Sequence, residues 1–297
     1  MITLKNHLIE IAVSEQGAEL CSLKRNGREY LWQADPAYWK RHSPVLFPIV
    51  GSVWEGKYRV AGKEYALGQH GFARDMEFSL LSQTSDTVWF VLESNSETLS
   101  KYPFPFRLEI GYLLQGNQVD VMWKVTNTSD EAEMFFQIGA HPAFYWKDAA
   151  RLGYFRLETS DAVPVQADGS SRLVKSVITE KGCVDPNQKQ EVVLDAACLL
   201  PLSWEVFAKD ALIFENSQVR KVSLLDADKQ PYLSLSFDAP LVGLWSPPGK
   251  HAPFVCIEPW YGRCDRVHYA GDFTEKDWVQ HLAPKATFST QYTIGVE

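Results

Sequence analysis

The chain has 297 residues, of which 45% are hydrophobic and 22% are charged. These proportions exclude a disordered chain, and the length suits either one large all-β domain or two smaller domains. The formal net charge of −8 disfavours nucleic acid and anionic membranes as partners, whereas a small neutral ligand is compatible with it.

No segment has the pattern of a membrane anchor or a targeting signal. Charged residues interrupt the N-terminal segment, and no stretch approaches the roughly 20 apolar residues that a membrane-spanning helix needs. The five cysteines are odd in number and have no CxxC spacing, which indicates reduced thiols and predicts a cytoplasmic protein. We interpret Cys256 and Cys264, in the C-terminal third, as buried small hydrophobic residues.

Apolar and polar residues alternate in many short segments, as they do in half-buried strands. In chain order, a strand at residues 8–13 is followed by a turn at 15–17 and a strand around 20–23. The dipeptide Asn26-Gly27 then predicts a tight hairpin turn. The later strand candidates are residues 88–92, 108–114, 119–126, 211–214, 221–225, 233–237, 254–257 and 287–294.

Helical patterns are few. Residues 35–41 predict a short helical turn. Residues 272–282 predict the best-defined helix, with Asp272 as its N-cap and Glu275 three residues later. Residues 161–187 form the most polar stretch of the chain and predict a long surface excursion.

Many short strands and few helices predict an all-β fold, either a large antiparallel β-sandwich or a barrel. No βαβ rhythm, glycine-rich phosphate loop or internal repeat is present, and no change of composition marks a linker. We therefore predict one domain over residues 1–297, with its chemistry on a concave sheet face or on the loops at its rim.

Two of the seven histidines stand in unusual surroundings. Gly68 and Gly71 bracket His70 and permit close approach by another backbone or by a ligand. Pro142 forces His141 into an extended conformation and removes a donor from the strand ladder, and three aromatic residues follow it. Each histidine alone fits a satisfied, partly buried side chain, but both also fit a pocket wall.

Glu258 ends the apolar run of residues 254–257 and precedes Pro259-Trp260-Tyr261. A carboxylate at the end of a buried strand needs a partner or a function, because burial without either is costly. Desolvation would raise its pKa toward the range of a general base. Together with His70 and His141, Glu258 predicts an active site with acid/base chemistry.

Other polar residues are weaker candidates. Asp210 opens the strand candidate at 211–214 and reads as a turn residue from its own surroundings. Arg74 suits either an ion pair with Asp75 or a contact to a sugar hydroxyl or phosphate. Lys40 and Arg41 belong to a small basic cluster before a buried strand, which suits either a solvated face or a ligand contact.

Six short motifs in order show a resemblance to a known family. They are PVLFPIVG (residues 44–51), GKEY (62–65), QHGFARD (69–75), GAHPAF (139–144), DALIF (210–214) and CIEPW (256–260). The sequence resembles the aldose 1-epimerase (galactose mutarotase) superfamily, and within it the LacX-like branch, with hexose-6-phosphate mutarotases as relatives. The motifs span nearly the whole chain.

The resemblance implies a large galactose mutarotase-like β-sandwich that needs no metal or organic cofactor. It also implies that Glu258 is the general base and His141 the general acid, that His70 hydrogen-bonds near the ring oxygen, and that Asp210 binds a sugar hydroxyl. Many LacX-like chains carry an arginine directly after the first motif, where this chain has Ser52.

Because Ser52 replaces this arginine, either Arg74 or Arg41 would have to supply the arginine contact to the sugar. The function implied is interconversion of the α and β anomers of a hexose by acid/base ring opening and closure. Alternatives are a hexose-6-phosphate 1-epimerase and a non-catalytic carbohydrate-binding or sensing protein. The residues alone also suit a metal enzyme with His70, His141 and Glu258 as ligands, or a glycosidase with Glu258 and Asp210 as its carboxylates.

Overall fold

The computed structural model describes residues 1–148, 150–161 and 163–297. These residues form 25 strands, one α-helix (α1, Ser96–Lys101) and four short 3₁₀ turns (Trp54–Gly56, Ala73–Asp75, Trp204–Phe207 and Phe273–Glu275). In chain order, the strands are β1 (Ile2–Lys5), β2 (Ile9–Val13), β3 (Leu20–Arg25), β4 (Arg28–Glu29), β5 (Val45–Leu46), β6 (Lys57–Val60), β7 (Lys63–Ala66), β8 (Ser79–Gln83), β9 (Thr87–Glu93), β10 (Phe106–Gln115), β11 (Gln118–Asn127), β12 (Met134–Phe136), β13 (Ile138–Ala140), β14 (Ala143–Tyr145), β15 (Tyr154–Thr159), β16 (Ser171–Ile178), β17 (Val184–Leu194), β18 (Leu199–Pro201), β19 (Leu212–Phe214), β20 (Val219–Leu225), β21 (Pro231–Phe237), β22 (Leu241–Trp245), β23 (Phe254–Tyr261), β24 (Gln280–Leu282) and β25 (Thr287–Val296).

Two large antiparallel sheets form the sandwich. The first has nine strands in the order β18-β15-β20-β21-β25-β11-β10-β9-β8. The second has eight, in the order β17-β16-β19-β22-β23-β13-β5, with β14 also paired to β23. Trp123 of the first sheet and Ile257 of the second belong to the same buried core. The predicted all-β sandwich is therefore confirmed.

The strongest turn signal in the sequence gives the predicted hairpin. Arg25 pairs with Arg28 across the turn that joins β3 to β4. Asn26 and Gly27 both have positive φ, 51° and 77°, which the mirror-image hairpin turns require. Strands β1 to β4 form a separate four-stranded sheet.

The β10–β11 hairpin also follows the sequence pattern. Gln115 pairs with Gln118, and the alternate residues Val119, Val121 and Trp123 are all buried. Lys124, which the pattern places on the opposite face, is exposed. Burial of one face of this strand thus follows directly from its period of two.

The predicted helix over residues 272–282 is wrong. Asp272 does act as a cap, since its Oδ1 accepts a hydrogen bond from the Thr274 backbone at 3.0 Å. Only the short turn Phe273–Glu275 follows, because the backbone is already extended at Lys276, and β24 then pairs with β12. Residues 35–41 form one hydrogen-bonded turn, from Asp35 to Trp39.

The polar stretch at 161–187 is not a surface excursion. Apart from residue 162, which lies outside the described residues, it contains β16 and the start of β17, which pair as a hairpin at the edge of the second sheet. Leu173 and Val177 of β16 are buried. Most of β17 is exposed, and its polar residues made an edge hairpin resemble a loop in the sequence.

All five cysteines are free thiols, and Cys256 and Cys264 are buried, as their interpretation predicted. Among the described residues, no helix combines the length and the apolar character that crossing a bilayer demands.

Candidate active site

A cavity of about 290 Å³ opens at the second sheet. Five of the candidate residues line it: His70, Arg74, His141, Asp210 and Glu258. They come from separate parts of the chain, and the fold brings them together. The volume lies at the lower end for ligand pockets and suits a small molecule.

Glu258 lies inside β23 and not at its end, where the sequence predicted it, because the strand continues to Tyr261. The strand has neighbours on both edges and buried residues along most of its length. Its side chain is only 1% exposed, and Oε2 makes no hydrogen bond within the described parts of the chain. Burial raises the pKa of Glu258 well above 4.5, and the nearby charge of Asp210 raises it further. The carboxyl group therefore holds a proton more firmly than an exposed glutamate does.

His141 lies between β13 and β14, where Pro142 interrupts the ladder. β13 pairs Gly139 with Trp260, and β14 pairs Ala143 with Cys256. This register places His141 opposite Glu258 between the two pairs. Nε2 of His141 lies 3.3 Å from Oε2 of Glu258.

The environment of His141 disfavours its charged form. Burial lowers the pKa of His141 to about 3, and the charge of Arg74 contributes in the same direction. Trp39 stacks on the imidazole at a centroid distance of 4.7 Å, and Trp245 meets it edge-on at 5.4 Å. These two indoles fix the ring plane and keep water away from it.

His70 is fixed by two hydrogen bonds to one residue. Its backbone N–H donates to the Gly51 carbonyl at 2.8 Å, and its Nδ1 accepts from the Gly51 N–H at 3.0 Å. Because Nδ1 is an acceptor, the proton of the neutral ring is on Nε2. Burial and the neighbouring His141 hold the pKa of His70 well below its usual value of 6.5. His70 is therefore a neutral hydrogen-bond donor.

Close packing explains the glycines around His70. A Cβ on Gly71 would lie 2.2 Å from the Phe47 carbonyl oxygen, whereas one on Gly68 would meet open space. The predicted close approach by another backbone is confirmed at Gly71, whereas Gly68 has no such neighbour among the described residues. Gly51 has a φ of 71°, and a Cβ there would lie 2.6 Å from Cβ of Cys264.

Asp210 lies at the cavity wall with a φ of 75°, an unusual conformation for a residue other than glycine. Its Oδ1 accepts a hydrogen bond from the Ala211 backbone at 2.8 Å. Burial raises the pKa of Asp210. This strained, partly desolvated carboxyl group has little structural purpose of its own, which favours a role in ligand binding.

The two candidate arginines are placed differently. Arg74 lines the cavity, donates to the Gln69 carbonyl at 2.6 Å, and burial lowers its pKa to about 10. Arg41 is not among the described residues that line the cavity, and it bonds Asp75 at 2.8 Å. Ser52 also lies off the lining; its Oγ is the atom that a Cβ on Gly182 would meet, at 2.9 Å.

Comparison with known proteins identifies the family. The family model described as aldose 1-epimerase matches residues 1–284. The chain belongs to the aldose 1-epimerase family. This membership supports an isomerase function of the epimerase or mutarotase type.

Relatives of this aldose 1-epimerase family member cover its full length. Protein LacX, chromosomal, from Lactococcus lactis subsp. lactis is 32% identical over 99% of both chains. The solved structure of a galactose mutarotase related enzyme from Lactobacillus acidophilus is 34% identical, with a TM-score of 0.89 over 100% of this chain and 97% of that one. A galactose mutarotase-like protein from Lactobacillus casei is 29% identical, with a TM-score of 0.82 over 100% of both chains.

Sequence reasoning missed several residues around the epimerase-family site. Trp39, Trp245 and Trp260 line the cavity, and the polar hairpin supplies Ile178 and Gly182. The surplus of tryptophan, ten in all, was the available signal, because indole faces suit the apolar C–H faces of sugars. Nothing in the sequence indicated which tryptophans lie at the site.

Metal-ligating side chains also meet at the His141–Glu258 pair. Donor atoms of His141, Cys256 and Glu258 lie within 4.8 Å of one another, although Cys256 is fully buried and is not among the described residues that line the cavity. His70 belongs to no such group among the described residues, and because its Nδ1 accepts from Gly51, its Nε2 carries the ring proton. Cys256 takes the place of His70, two residues before Glu258 on the same side of β23.

Proposed function

We propose that this chain is an aldose 1-epimerase that interconverts the α and β anomers of a neutral aldohexose. The observation that carries the proposal is the 3.3 Å contact between His141 and Glu258 in a small, aromatic-lined cavity. Ring opening of a hemiacetal needs one proton donor and one acceptor on two oxygens of the same carbon. A histidine and a glutamate in contact match that need.

In the proposed mechanism the His141–Glu258 pair shares one proton. Burial raises the pKa of Glu258 well above 4.5 and lowers that of His141 to about 3, and both shifts favour a pair with a single proton over a pair with none or two. The proton has two arrangements, one with both side chains neutral and one with ionised Glu258 beside an imidazolium. Such coupled groups titrate as a unit.

The ion-pair arrangement is the reactive one. Glu258 accepts the proton of the anomeric hydroxyl, and His141 donates its proton to the ring oxygen. The bond between the anomeric carbon and the ring oxygen breaks as the carbonyl double bond forms. Rotation about the adjacent carbon–carbon bond presents the other face, and the reversed transfers close the ring and restore both side chains.

The remaining residues bind and orient the sugar. The Nε2–H of neutral His70 donates to the ring oxygen or a neighbouring hydroxyl, because its Nδ1 already accepts a hydrogen bond from the Gly51 N–H. Asp210 accepts from a hydroxyl, and Arg74 supplies the guanidinium. The indoles of Trp39 and Trp245 offer flat apolar surfaces to the sugar ring.

Charge at the cavity favours a neutral sugar over a phosphorylated one. Arg74 is the one cationic side chain among the described lining residues, and the same lining contains the two carboxyl groups of Asp210 and Glu258. A phosphate group carries about two negative charges near neutral pH and would meet both carboxyl groups. Binding such a substrate here would therefore require more positive charge than Arg74 supplies.

The test is polarimetry on freshly dissolved α-glucose, α-galactose and their 6-phosphates, with Glu258→Gln as the matched control. We expect the wild-type chain to accelerate mutarotation of a free hexose and the variant to lose that acceleration. Hydrolysis of an aryl glycoside would instead indicate a glycosidase. Sugar binding without any acceleration would indicate a carbohydrate-binding protein, and acceleration confined to a 6-phosphate would contradict the neutral substrate.

A further inference from the structure

A second group of metal-ligating side chains lies outside the cavity lining. Glu19, Cys21 and His42 each offer one donor atom, and the three atoms lie within 4.8 Å of one another. The proposed reaction uses none of them. We propose that Glu19, Cys21 and His42 bind a borderline-soft divalent cation such as Zn²⁺, with water as the fourth ligand.

The donor types and spacing suit zinc. Thiolate, imidazole and carboxylate are its three preferred protein ligands, in tetrahedral geometry. Nδ1 of His42 lies 3.6 Å from Oε2 of Glu19. Two such ligands of one tetrahedral zinc ion lie roughly 3.3 Å apart, given its usual bond lengths of about 2.0 Å. A small side-chain adjustment therefore brings Glu19 and His42 onto one ion, and the Cys21 donor lies within 4.8 Å of both.

The backbone already holds two of the ligands in place. Oε1 of Glu19 accepts hydrogen bonds from the backbone N–H groups of His42 and Ser43, both at 2.9 Å, which leaves Oε2 for the cation. The His42 carbonyl accepts from the Ala143 N–H at 2.9 Å. Support of this kind around metal ligands orients them and reduces the cost of ordering them.

Cys21 lies in strand β3, and its carbonyl accepts from the Gln33 side chain at 3.0 Å. Nδ1 of His42 is shielded from solvent and makes no hydrogen bond within the described parts of the chain. The His42 side chain is 24% exposed, which leaves an opening for the ion and for its water ligand. The cluster thus combines a shielded imidazole nitrogen, which already interacts with the other two side chains, with an entry path.

Charge balance at the cluster is compatible with a dication. The Glu19 carboxylate and the Cys21 thiolate together neutralise it. Arg74 interacts with Glu19 and opposes a cation, but Asp75 lies 3.7 Å from Arg74 and 2.8 Å from Arg41 and offsets one of these two positive charges. The cation would join strand β3 to the segment that carries Trp39.

The test is equilibrium competition of the metal-free full chain with a chromogenic chelator for Zn²⁺. Cys21→Ser and His42→Gln remove one ligand each, whereas Cys198→Ser and Cys256→Ser are matched controls, the latter because Cys256 belongs to the donor set at the His141–Glu258 pair. We expect the wild-type chain and both controls to bind one Zn²⁺. Each ligand variant should bind at least about tenfold more weakly.

Substitution with Co²⁺ provides a second readout. A thiolate-to-cobalt charge-transfer band should appear in the wild-type chain and in Cys256→Ser, and should be absent from Cys21→Ser. Equal zinc affinity in all variants, or no competition with the chelator by the wild-type chain, would overturn the proposal. Loss of binding in Cys256→Ser alone would overturn it too, since the ion would then lie at the His141–Glu258 pair. Thermal unfolding of each metal-free variant checks that it is folded.

Discussion

His141 and Glu258 are cross-strand neighbours whose side chains meet at 3.3 Å. The pairs Gly139–Trp260 and Ala143–Cys256 flank them in the same register, so the sheet itself sets their separation. Side chains directly opposite each other in an antiparallel pair have Cβ atoms about 4.5–5.5 Å apart. A proton donor and acceptor placed in this way need no mobile loop to bring them together.

The first prediction concerns the acid and the base. Glu258→Gln and His141→Ala should each reduce kcat for mutarotation by about 10²- to 10⁴-fold, the usual contribution of general acid–base catalysis. Asp120→Asn is the control, because Asp120 is a buried carboxylate that bonds Thr293 away from the cavity. Its kcat should match that of the wild-type chain. Wild-type rates in both active-site variants would refute the assignment of the pair.

The second prediction concerns stability. Because the folded-state pKa of Glu258 is raised, its contribution to stability is complete below pH 4.5 and declines as pH rises through the folded-state pKa. In Glu258→Gln the side chain at this position does not titrate. Near pH 7 we therefore expect the variant to have a free energy of unfolding about 1–3 kcal/mol larger than that of the wild-type chain, and hence a higher Tm. The difference should shrink as the pH falls toward 4.5. Thermal unfolding over this pH range measures it, and a variant that is less stable at every pH would contradict the argument.

The third prediction is the pH profile of kcat/KM. On the acid side, the His141–Glu258 pair should keep its single proton down to about pH 3, where protonation of His141 gives the pair a second one. On the alkaline side, activity should fall as the pair loses its proton. Since the charge of Asp210 helps to raise the pKa of Glu258, Asp210→Asn should shift the alkaline limb to lower pH. Polarimetric rates, corrected at each pH for the uncatalysed reaction, measure the shift, and an unmoved limb would remove Glu258 as its source.

The sequence predicted those parts of the fold that depend on local patterns. The Asn26-Gly27 turn requires two positive φ angles, which these residues tolerate, and the β10–β11 hairpin follows its alternation. The helix at 272–282 failed because a cap signal at Asp272 says where a helix begins and not how far it continues. The chain turns extended at Lys276 and then pairs β24 with β12, a contact between segments far apart in the sequence.

The sequence predicted which residues form the candidate site, but it did not predict how they are arranged. Strand-end context and the family motifs indicated His141 and Glu258, but strand order in a sheet depends on contacts distant in sequence. The contact between Gly51 and His70 has no local signal either. For the same reason, Arg41 and Arg74 looked equivalent in the sequence although only Arg74 lines the cavity.

The fourth prediction separates the two nitrogens of His70. Asparagine tolerates positive φ, and its side-chain oxygen can accept the hydrogen bond from the Gly51 N–H in place of Nδ1. His70→Asn should therefore keep the fold and lose the donor at Nε2, raising KM about tenfold and lowering kcat less than Glu258→Gln does. His70→Leu loses both nitrogens and should also lower Tm. An Asn variant that changes Tm alone would assign His70 a purely structural role.

The fifth prediction distinguishes the two arginines. Arg74→Met removes the guanidinium at the cavity wall, and the loss of a charged hydrogen bond to the sugar, about 1.5–3 kcal/mol, should raise KM by roughly 10- to 150-fold. Arg41→Met is the matched control, because Arg41 shares the contact to Asp75 and lies off the lining. Its KM should remain within about twofold of the wild-type value, since an exposed ion pair contributes little. If Arg41→Met raised KM as much as Arg74→Met does, the sugar would contact Arg41. Arg41 would then supply the guanidinium that LacX-like relatives carry where this chain has Ser52.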